Sequence, residues 1–277
     1  MTSRGRRDTT GAPLVDRPGG TQSIQRAVAV LRILATAREA GLGLTQISMQ
    51  AELTRPTTHR ILNVLIAEGM VERRHGSQRY LLGEQVPLLA LSRRIRDPLL
   101  DIVSPHLRAA VSELGDTGFF TRCVGLETVC VARQLGSSYP VQVFAWDVGE
   151  RRPLGVTNAG IAILSSMQPD AAREVLAKNR SRFSRYDLST EAILQEVAMA
   201  RSKGFASRAI SLIPGASPIS VTVRSSGGVA RGALTITPTT RRRSPERTEE
   251  IAACLRRHAA AVEFELSNAT NLRPPRR

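Results

Sequence analysis

Residues 24 to 68 contain three helix-type segments joined by very little intervening sequence, and this spacing limits the possible folds more than any other feature. In the first segment, apolar residues recur at the three- and four-residue steps of one helical face, at Ile24, Ala27, Val28, Leu31, Leu34 and Ala35. The segment stops before Gly41, since glycine ends helices readily. The pattern predicts an amphipathic first helix.

Two further helices follow almost at once. Thr45 is suited to cap a second helix over residues 46–51. A third begins with Arg55 before Pro56, because proline fits the first turn of a helix, and Gly69 marks its end. The close spacing of the second and third helices predicts a helix-turn-helix.

Two strand-like runs then flank the tripeptide His75-Gly76-Ser77 and predict a β-hairpin. A hairpin directly after three such helices predicts a winged helix-turn-helix. The hairpin is basic, with Arg73, Arg74, His75 and Arg79.

The third helix carries residue types suited to DNA on one side. If Ile61, Leu62 and Leu65 are buried, steps of about 100° per residue place other positions opposite or beside that stripe. Those positions are Arg60, Asn63, Ala67, Thr57, Val64 and His59. Arginine bonds guanine edges and asparagine bonds adenine edges, whereas threonine, histidine and helix N-termini favour phosphate. The alternative is an ordinary solvated helix face, and the basic hairpin favours DNA over it.

The charge of the chain also indicates a polyanionic partner. Among 277 residues, 39 are Lys or Arg and 24 are Asp or Glu, a net charge of +15. Residues 1–96 hold 15 arginines against seven acidic residues, so this part is about twice as basic per residue as the remainder. A GC-rich genome would also raise the arginine total, but the clustering of charge favours nucleic acid.

The remaining composition is that of a globular protein of about two domains. Hydrophobic residues make up 42% and charged residues 23% of the chain. No uncharged apolar stretch approaches the roughly 20 residues of a membrane span, and no signal sequence is visible. We therefore expect a cytoplasmic protein that does not bind membranes.

Four segments carry a resemblance to a known family. They are Thr21-Gln-Ser-Ile-Gln-Arg-Ala-Val-Ala-Val-Leu, Leu44-Thr-Gln-Ile, Arg55-Pro-Thr-Thr-His-Arg-Ile-Leu and Gly69-Met-Val-Glu-Arg. Over residues 21–83 the chain resembles the DNA-binding domain of the IclR family of bacterial transcription regulators. The resemblance implies a C-terminal effector-binding domain similar to GAF domains, and a homodimer or homotetramer on a palindromic operator of double-stranded DNA.

The resemblance and the helix geometry together predict the DNA-binding residues. We expect Arg60 to enter the major groove, Arg55 to bind phosphate, and the hairpin turn to contact the backbone or minor groove. The full predicted set is Arg55, Thr57, Thr58, His59, Arg60, Asn63, Arg74 and His75. Val30 and Ile33, left outside the main stripe of the first helix, and residues 88–95 are candidate subunit contacts.

The second half of the chain has an α+β order. Strand-like runs lie at residues 119–124, 128–135, 141–146, 219–224 and 232–237, and helical runs at 159–167, 169–177, 191–202 and after Ser244. They predict an antiparallel sheet flanked by helices. The predicted divisions are a disordered arm (1–20), the winged helix-turn-helix (21–83), a linker helix region (84–114), the effector-binding domain (115–269) and a basic tail (270–277).

Sequence motifs of enzymes and metal sites are missing. No hydrolase, metalloprotease, nucleotide-binding or paired-carboxylate motif is present. The four histidines are scattered, with no cysteine or acidic residue at ligand spacing: His59, His75, His106 and His258. The three cysteines are expected to be small core residues: Cys123, Cys130 and Cys254. We predict no catalysis, no cofactor and no metal.

The effector site is implied by the resemblance alone. Carried over by position, it comprises Asn158, Ala159, Arg208, Ala216, Pro218, Thr235 and Thr237. Arg208 stands where the family often has an acidic residue, which predicts a small organic effector with a carboxylate. The alternatives are that Arg208 points to solvent at a strand edge, and that the neutral residues only cap loops or lie on the strand surface.

These observations predict a DNA-binding transcriptional regulator controlled by a small molecule. Two other classes stay open: a protein-interaction or sensor module that uses the winged helix for assembly, and a small-molecule hydrolase. DNA binding with a steep salt dependence would support the regulator. Capture of a protein partner without DNA would support the interaction module, and turnover of a substrate would support the hydrolase.

Overall fold

The computed structural model describes residues 21–36, 40–74, 76–92, 98–137, 147–208 and 214–271. The chain forms two compact units that divide between Arg94 and Ile95. Among the described residues, no helix is both long and apolar enough to cross a membrane.

The first unit combines helices with a small antiparallel sheet. Its elements are α1 (Gln22–Leu34), β1 (Leu42–Gly43), α2 (Leu44–Ala51), α3 (Arg55–Ala67), β2 (Val71–Arg73), β3 (Arg79–Leu82) and α4 (Gln85–Ser92). Helices α1, α2 and α3 pack on one another, and the sheet order is β1-β3-β2. Gly76 lies in the turn of the predicted hairpin at φ +73°, a region that favours glycine. The winged helix-turn-helix is confirmed.

The core of this unit corrects one prediction about α1. Val30 has no exposed surface and packs with Leu34 of the same helix, Ile47 of α2 and Leu62 of α3. A fully buried side chain cannot contact a second subunit, so Val30 is wrong as a candidate contact. Ile33 is half-buried.

The start of α2 also differs from the sequence prediction. The short strand β1, which the sequence analysis missed, pairs with β3 and ends at Gly43, so the helix begins directly afterwards at Leu44. The side chain of Gln46 accepts a hydrogen bond from the Gly43 amide at 3.0 Å. Thr45 therefore lies inside the helix and does not cap it.

The second unit combines an antiparallel sheet with helices on both faces. Its elements are α5 (Pro98–Leu114), β4 (Thr117–Val124), β5 (Glu127–Gln134), β6 (Arg151–Pro153), α6 (Asn158–Ser165), α7 (Pro169–Phe183), α8 (Thr190–Lys203), β7 (Ile219–Arg224), β8 (Ala230–Thr237) and α9 (Pro245–Asn271). The strand order is β6-β5-β4-β8-β7. The predicted α+β class is confirmed, although β6 was missed and α7 runs further than expected. The predicted strand at residues 141–146 lies outside the described residues.

The two faces of this sheet differ in chemistry. One face is apolar, with Phe120, Val221, Leu234 and Ile236 packed against α5 and α9. The opposite face is turned toward α6, whose core continues into α7 and α8. That face carries buried hydroxyl side chains at alternate strand positions: Thr117, Thr121, Thr128, Ser220, Thr222, Thr235 and Thr237. We call these residues the hydroxyl face.

A buried carboxylate joins α5 and β4 to the start of α9. Asp116 is 3% exposed and forms ion pairs with Arg242 and with Arg247, the latter at 2.8 Å. Arg247 also donates to the carbonyl oxygen of Leu114. This cluster therefore closes the end of α5 against the first turn of α9.

We predict that Asp116→Ala lowers the free energy of unfolding by about 2–3 kcal/mol, because it leaves two guanidinium groups without their buried partner. The loss is smaller than for a fully buried pair, since both arginines keep some solvent exposure. Urea denaturation followed by circular dichroism measures it. Asp170→Ala is the control, because its ion pair with Arg173 is exposed and its place in the first turn of α7 should limit the loss to below about 1 kcal/mol. Equal losses in both variants would contradict this role for Asp116.

Candidate functional site

Helix α3 is held so that one side is buried and the other is open. The Thr54 hydroxyl caps its N-terminus by accepting from the Thr57 amide at 3.4 Å, and Pro56 occupies the first turn. Leu62 and Leu65 pack into the core of the first unit. The open side carries Arg55, His59, Arg60, Asn63, Val64 and Ala67, all exposed.

Two predicted DNA-binding residues are engaged within the protein. Thr58 is fully buried, and its hydroxyl donates to the carbonyl oxygen of Thr54 at 3.0 Å. A side chain without exposed surface cannot contact DNA, so Thr58 is removed from the predicted set. The Thr57 hydroxyl is half-buried and lies 2.9 Å from that of Thr54.

The basic hairpin is tied to the helical part of its unit. Arg79 donates from Nη1 to the carbonyl oxygen of Gly41 at 3.0 Å. Arg73 stacks over the ring of Tyr80 and donates to Gln78, next to the turn. Arg74 is exposed on the strand end that leads into the turn. His75, predicted to contact DNA, lies outside the described residues.

The predicted effector residues lie on and beside the hydroxyl face. The Ser220 and Thr235 hydroxyls are 2.7 Å apart across β7 and β8. Thr237 follows on the same face of β8, and Thr222 donates to the carbonyl oxygen of Ala162 in α6 at 2.6 Å. Buried hydroxyls of this kind can donate to or accept from a small polar molecule.

The start of α6 meets this face through Asn158. Its Nδ2 donates to the carbonyl oxygen of Pro218, just before β7. Asn158 and Ala159 are buried in the first turn of α6, which the Thr157 hydroxyl caps. Ala216 is also buried and pairs with Thr239. The structure thus places Asn158, Pro218, Ser220 and Thr235 side by side.

Arg208 is buried, so the alternative that it points to solvent is wrong. Its Nη1 and Nη2 atoms donate to the carbonyl oxygens of Val156 and Gly155 at 3.0 and 3.2 Å. Glu196 of α8 lies 3.7 Å from Nε. Burial lowers the pKa of the guanidinium, and the Glu196 charge opposes that shift. The cation is thus already matched by protein groups, which removes the reason to expect a ligand carboxylate on it.

A second arginine holds the other end of α6. Arg201 of α8 donates from Nε to the carbonyl oxygen of Ser165 at 3.0 Å and from Nη2 to that of Met167 at 2.8 Å. Arg208 and Arg201 therefore fix the chain where it enters and where it leaves α6.

The sequence analysis overlooked two kinds of residue here. Ser220 and Thr222 belong to the hydroxyl face, and their two-residue spacing in a strand was the available signal.

The prediction that no cysteine or acidic residue lies at ligand spacing from a histidine is also wrong. Ligand atoms of Glu113, Cys254 and His258 all lie within 4.8 Å of one another, because α5 and α9 pack together.

Comparison with known proteins agrees with both units. The model of the IclR helix-turn-helix domain matches residues 23–75, and that of the bacterial transcriptional regulator IclR C-terminal domain matches residues 95–264. The glycerol operon regulatory protein of Streptomyces griseus is 32% identical, over 88% of this chain and 96% of that protein. The regulator KdgR of Escherichia coli is 24% identical, over 92% and 96%.

Solved structures show the same fold. An IclR transcriptional regulator from Alicyclobacillus acidocaldarius superposes with a TM-score of 0.71 at 22% identity, covering 88% of this chain and 98% of that one. An IclR homologue from Microbacterium hydrocarbonoxydans, complexed with 4-hydroxybenzoate, gives 0.66 at 23% identity, covering 88% and 99%. With two family models that together span most of its length, the chain belongs to the IclR family of transcriptional regulators.

Proposed function

We propose that the exposed side of α3 binds operator DNA and that a small organic molecule on the hydroxyl face controls this binding. The DNA-binding part of the proposal rests on the observation that α3 has one buried side and one exposed side. Leu62 and Leu65 fix the helix in the core, while Arg60 and Asn63 stand exposed on the side away from it. An exposed helix of this kind fits the major groove of B-form DNA.

The exposed polar residues of α3 have distinct roles in this proposal. Arg60 bonds a guanine edge and Asn63 an adenine edge, since both side chains can form paired hydrogen bonds with a base. The Nδ1 atom of His59 lies 3.4 Å from the Nδ2 atom of Asn63, and this contact limits the orientation of the Asn63 amide. Arg55 in the first turn and Arg74 at the hairpin bind phosphates. His75 is proposed for the same hairpin contact.

We propose a homodimer or homotetramer on a palindromic operator, since helix-turn-helix proteins commonly bind two half-sites through two-fold symmetry. Exposed apolar side chains on α1 and α4 are the candidate contacts in the described residues: Ile24, Val28, Leu88, Leu89 and Leu91. Residues 93–95 of the predicted contact lie outside the described part.

The effector part of the proposal rests on the buried hydroxyl groups beside Asn158. A small organic molecule held there would contact Thr235 and Thr237 and the N-terminus of α6, with Ala159, Ala216 and Pro218 around it. Arg208 acts as a positioning residue, because it holds residues 155 and 156 through their carbonyl groups. The family relative complexed with 4-hydroxybenzoate supports a small organic acid as the first class to test.

We predict that Arg60→Ala weakens operator binding by about 1–3 kcal/mol and relaxes the preference at one base position. Arg55→Ala should weaken binding to all sequences alike and reduce the salt slope by about 0.9 per lost phosphate contact. An operator selected from random duplexes, followed by fluorescence anisotropy at several salt concentrations, measures both. Arg180→Ala, on the exposed side of α7, removes the same charge as a control. Unchanged affinity and base preference in Arg60→Ala would contradict this docking.

We predict that an effector found among small organic acids and their neutral analogues raises the melting temperature, and that Thr235→Val removes the rise. At a hundredfold excess over Kd, binding stabilises the folded state by about 2.7 kcal/mol, which gives a shift of several degrees. Thr222→Val is the matched control, because its hydroxyl is committed to Ala162. An effector shift that persists in Thr235→Val would place the ligand elsewhere. A shift lost on Arg208→Ala but kept in Thr235→Val would favour the guanidinium as the anchor.

A further inference from the structure

Helices α5 and α9 bring together a group of metal-ligating side chains on the side of the sheet opposite the hydroxyl face. Glu113 belongs to α5, and Cys254 and His258 lie one turn apart on α9. We propose that this cluster is a transition-metal site, suited to Zn²⁺, with the Cys254 thiolate, His258 Nε2 and the Glu113 carboxylate as ligands.

The hydrogen bonds around His258 occupy one of its two ring nitrogens. Glu265 lies 2.9 Å from Nε2 of His106, and a carboxylate can only accept, so that nitrogen donates. The other nitrogen of His106, Nδ1, lies 3.2 Å from Nδ1 of His258. In the tautomer in which Nδ1 of His258 donates within this pair, Nε2 of His258 carries the free lone pair that a metal ion needs.

The second ring nitrogen of His258, Nε2, lies at the cluster. The Nε2 atom of His258 is buried and has no hydrogen-bond partner within the described part of the chain. It lies 4.0 Å from the Glu113 carboxylate. Burial, followed by the influence of His106 and Arg257, lowers the pKa of His258. The chain from His258 through His106 to Glu265 matches the outer hydrogen bonds that orient metal-binding histidines.

The other two ligands lie side by side at the contact of α5 and α9. Arg257 donates from Nη2 to the Glu113 carboxylate oxygens at 2.8 and 2.6 Å, and the Cys254 thiol is buried beside that carboxylate. Because a metal ion binds the thiolate, coordination breaks the S–H bond of Cys254, releases one proton to solvent, and forms the sulfur–metal bond.

The mixture of donors selects the metal. One thiolate, one imidazole and one carboxylate suit Zn²⁺ and disfavour Mg²⁺ and Ca²⁺, which prefer oxygen ligands. Three protein ligands leave the fourth tetrahedral position to water. Donors about 2.0–2.3 Å from such an ion lie roughly 3.5 Å apart, so the partly exposed Glu113 side chain would have to rotate toward His258 and share its carboxylate between the ion and Arg257. The bound ion would connect α9 to α5.

Metal-free, untagged full-length protein tests the proposal when titrated with Zn²⁺ and with Co²⁺. We expect one ion per chain, a rise in melting temperature, and a Co²⁺ spectrum with a thiolate charge-transfer band and the visible bands of a tetrahedral ion. Mg²⁺ should have no effect. A wild-type Co²⁺ spectrum without the charge-transfer band would overturn the site.

Variants identify the ligands and the orienting histidine. Cys254→Ser should abolish the charge-transfer band, whereas the control Cys123→Ser, a thiol of β4, should retain it. His106→Phe should weaken Zn²⁺ binding by about 10- to 100-fold while one ion per chain still binds. Glu113→Gln changes a partly exposed side chain and should weaken binding at least as much, even if Cys254→Ser does not fold. A charge-transfer band that survives Cys254→Ser, or unchanged affinity in Glu113→Gln, would show that the ion binds elsewhere.

Discussion

Alternation of side chains along the strands is the constraint on which the second unit depends. Because helices cover both faces of the sheet, the buried residues of its strands belong to one of two environments. Ile236 of β8 contributes to the apolar core beneath α5 and α9, while its neighbours Thr235 and Thr237 belong to the hydroxyl face. A shift of one residue in the pairing of β8 would exchange these environments and destroy both the core and the proposed effector site.

The same separation of roles divides the first unit along α3. Its apolar side supplies the contacts that hold the helix against α1 and α2. The polar side therefore makes no core contact, and only its N-terminus is structural, where Thr54 and Thr57 form the cap. Residues on that side can therefore change without loss of the fold. If α3 binds DNA as proposed, the same scaffold can serve different operators.

Local sequence signals predicted elements well where one helix or strand determines the outcome. Pro56 and Gly69 bracket α3 as expected, and the hairpin forms around Gly76. Local signals could not predict contacts between segments that are far apart in the sequence. The burial of Arg208 depends on carbonyl groups some fifty residues earlier. Likewise, Glu113 is brought to Cys254 and His258 only by the packing of α5 against α9, so spacing along the chain did not reveal the cluster.

The two arginines that hold α6 have a mechanical consequence. Both ends of this eight-residue helix are held by arginine side chains that donate to carbonyl oxygens next to or at the helix ends. Hydrogen bonds at both ends favour movement of so short a helix as one piece. A displacement of Asn158 at one end would then also move Ser165 at the other, about 10.5 Å away at the usual rise per residue.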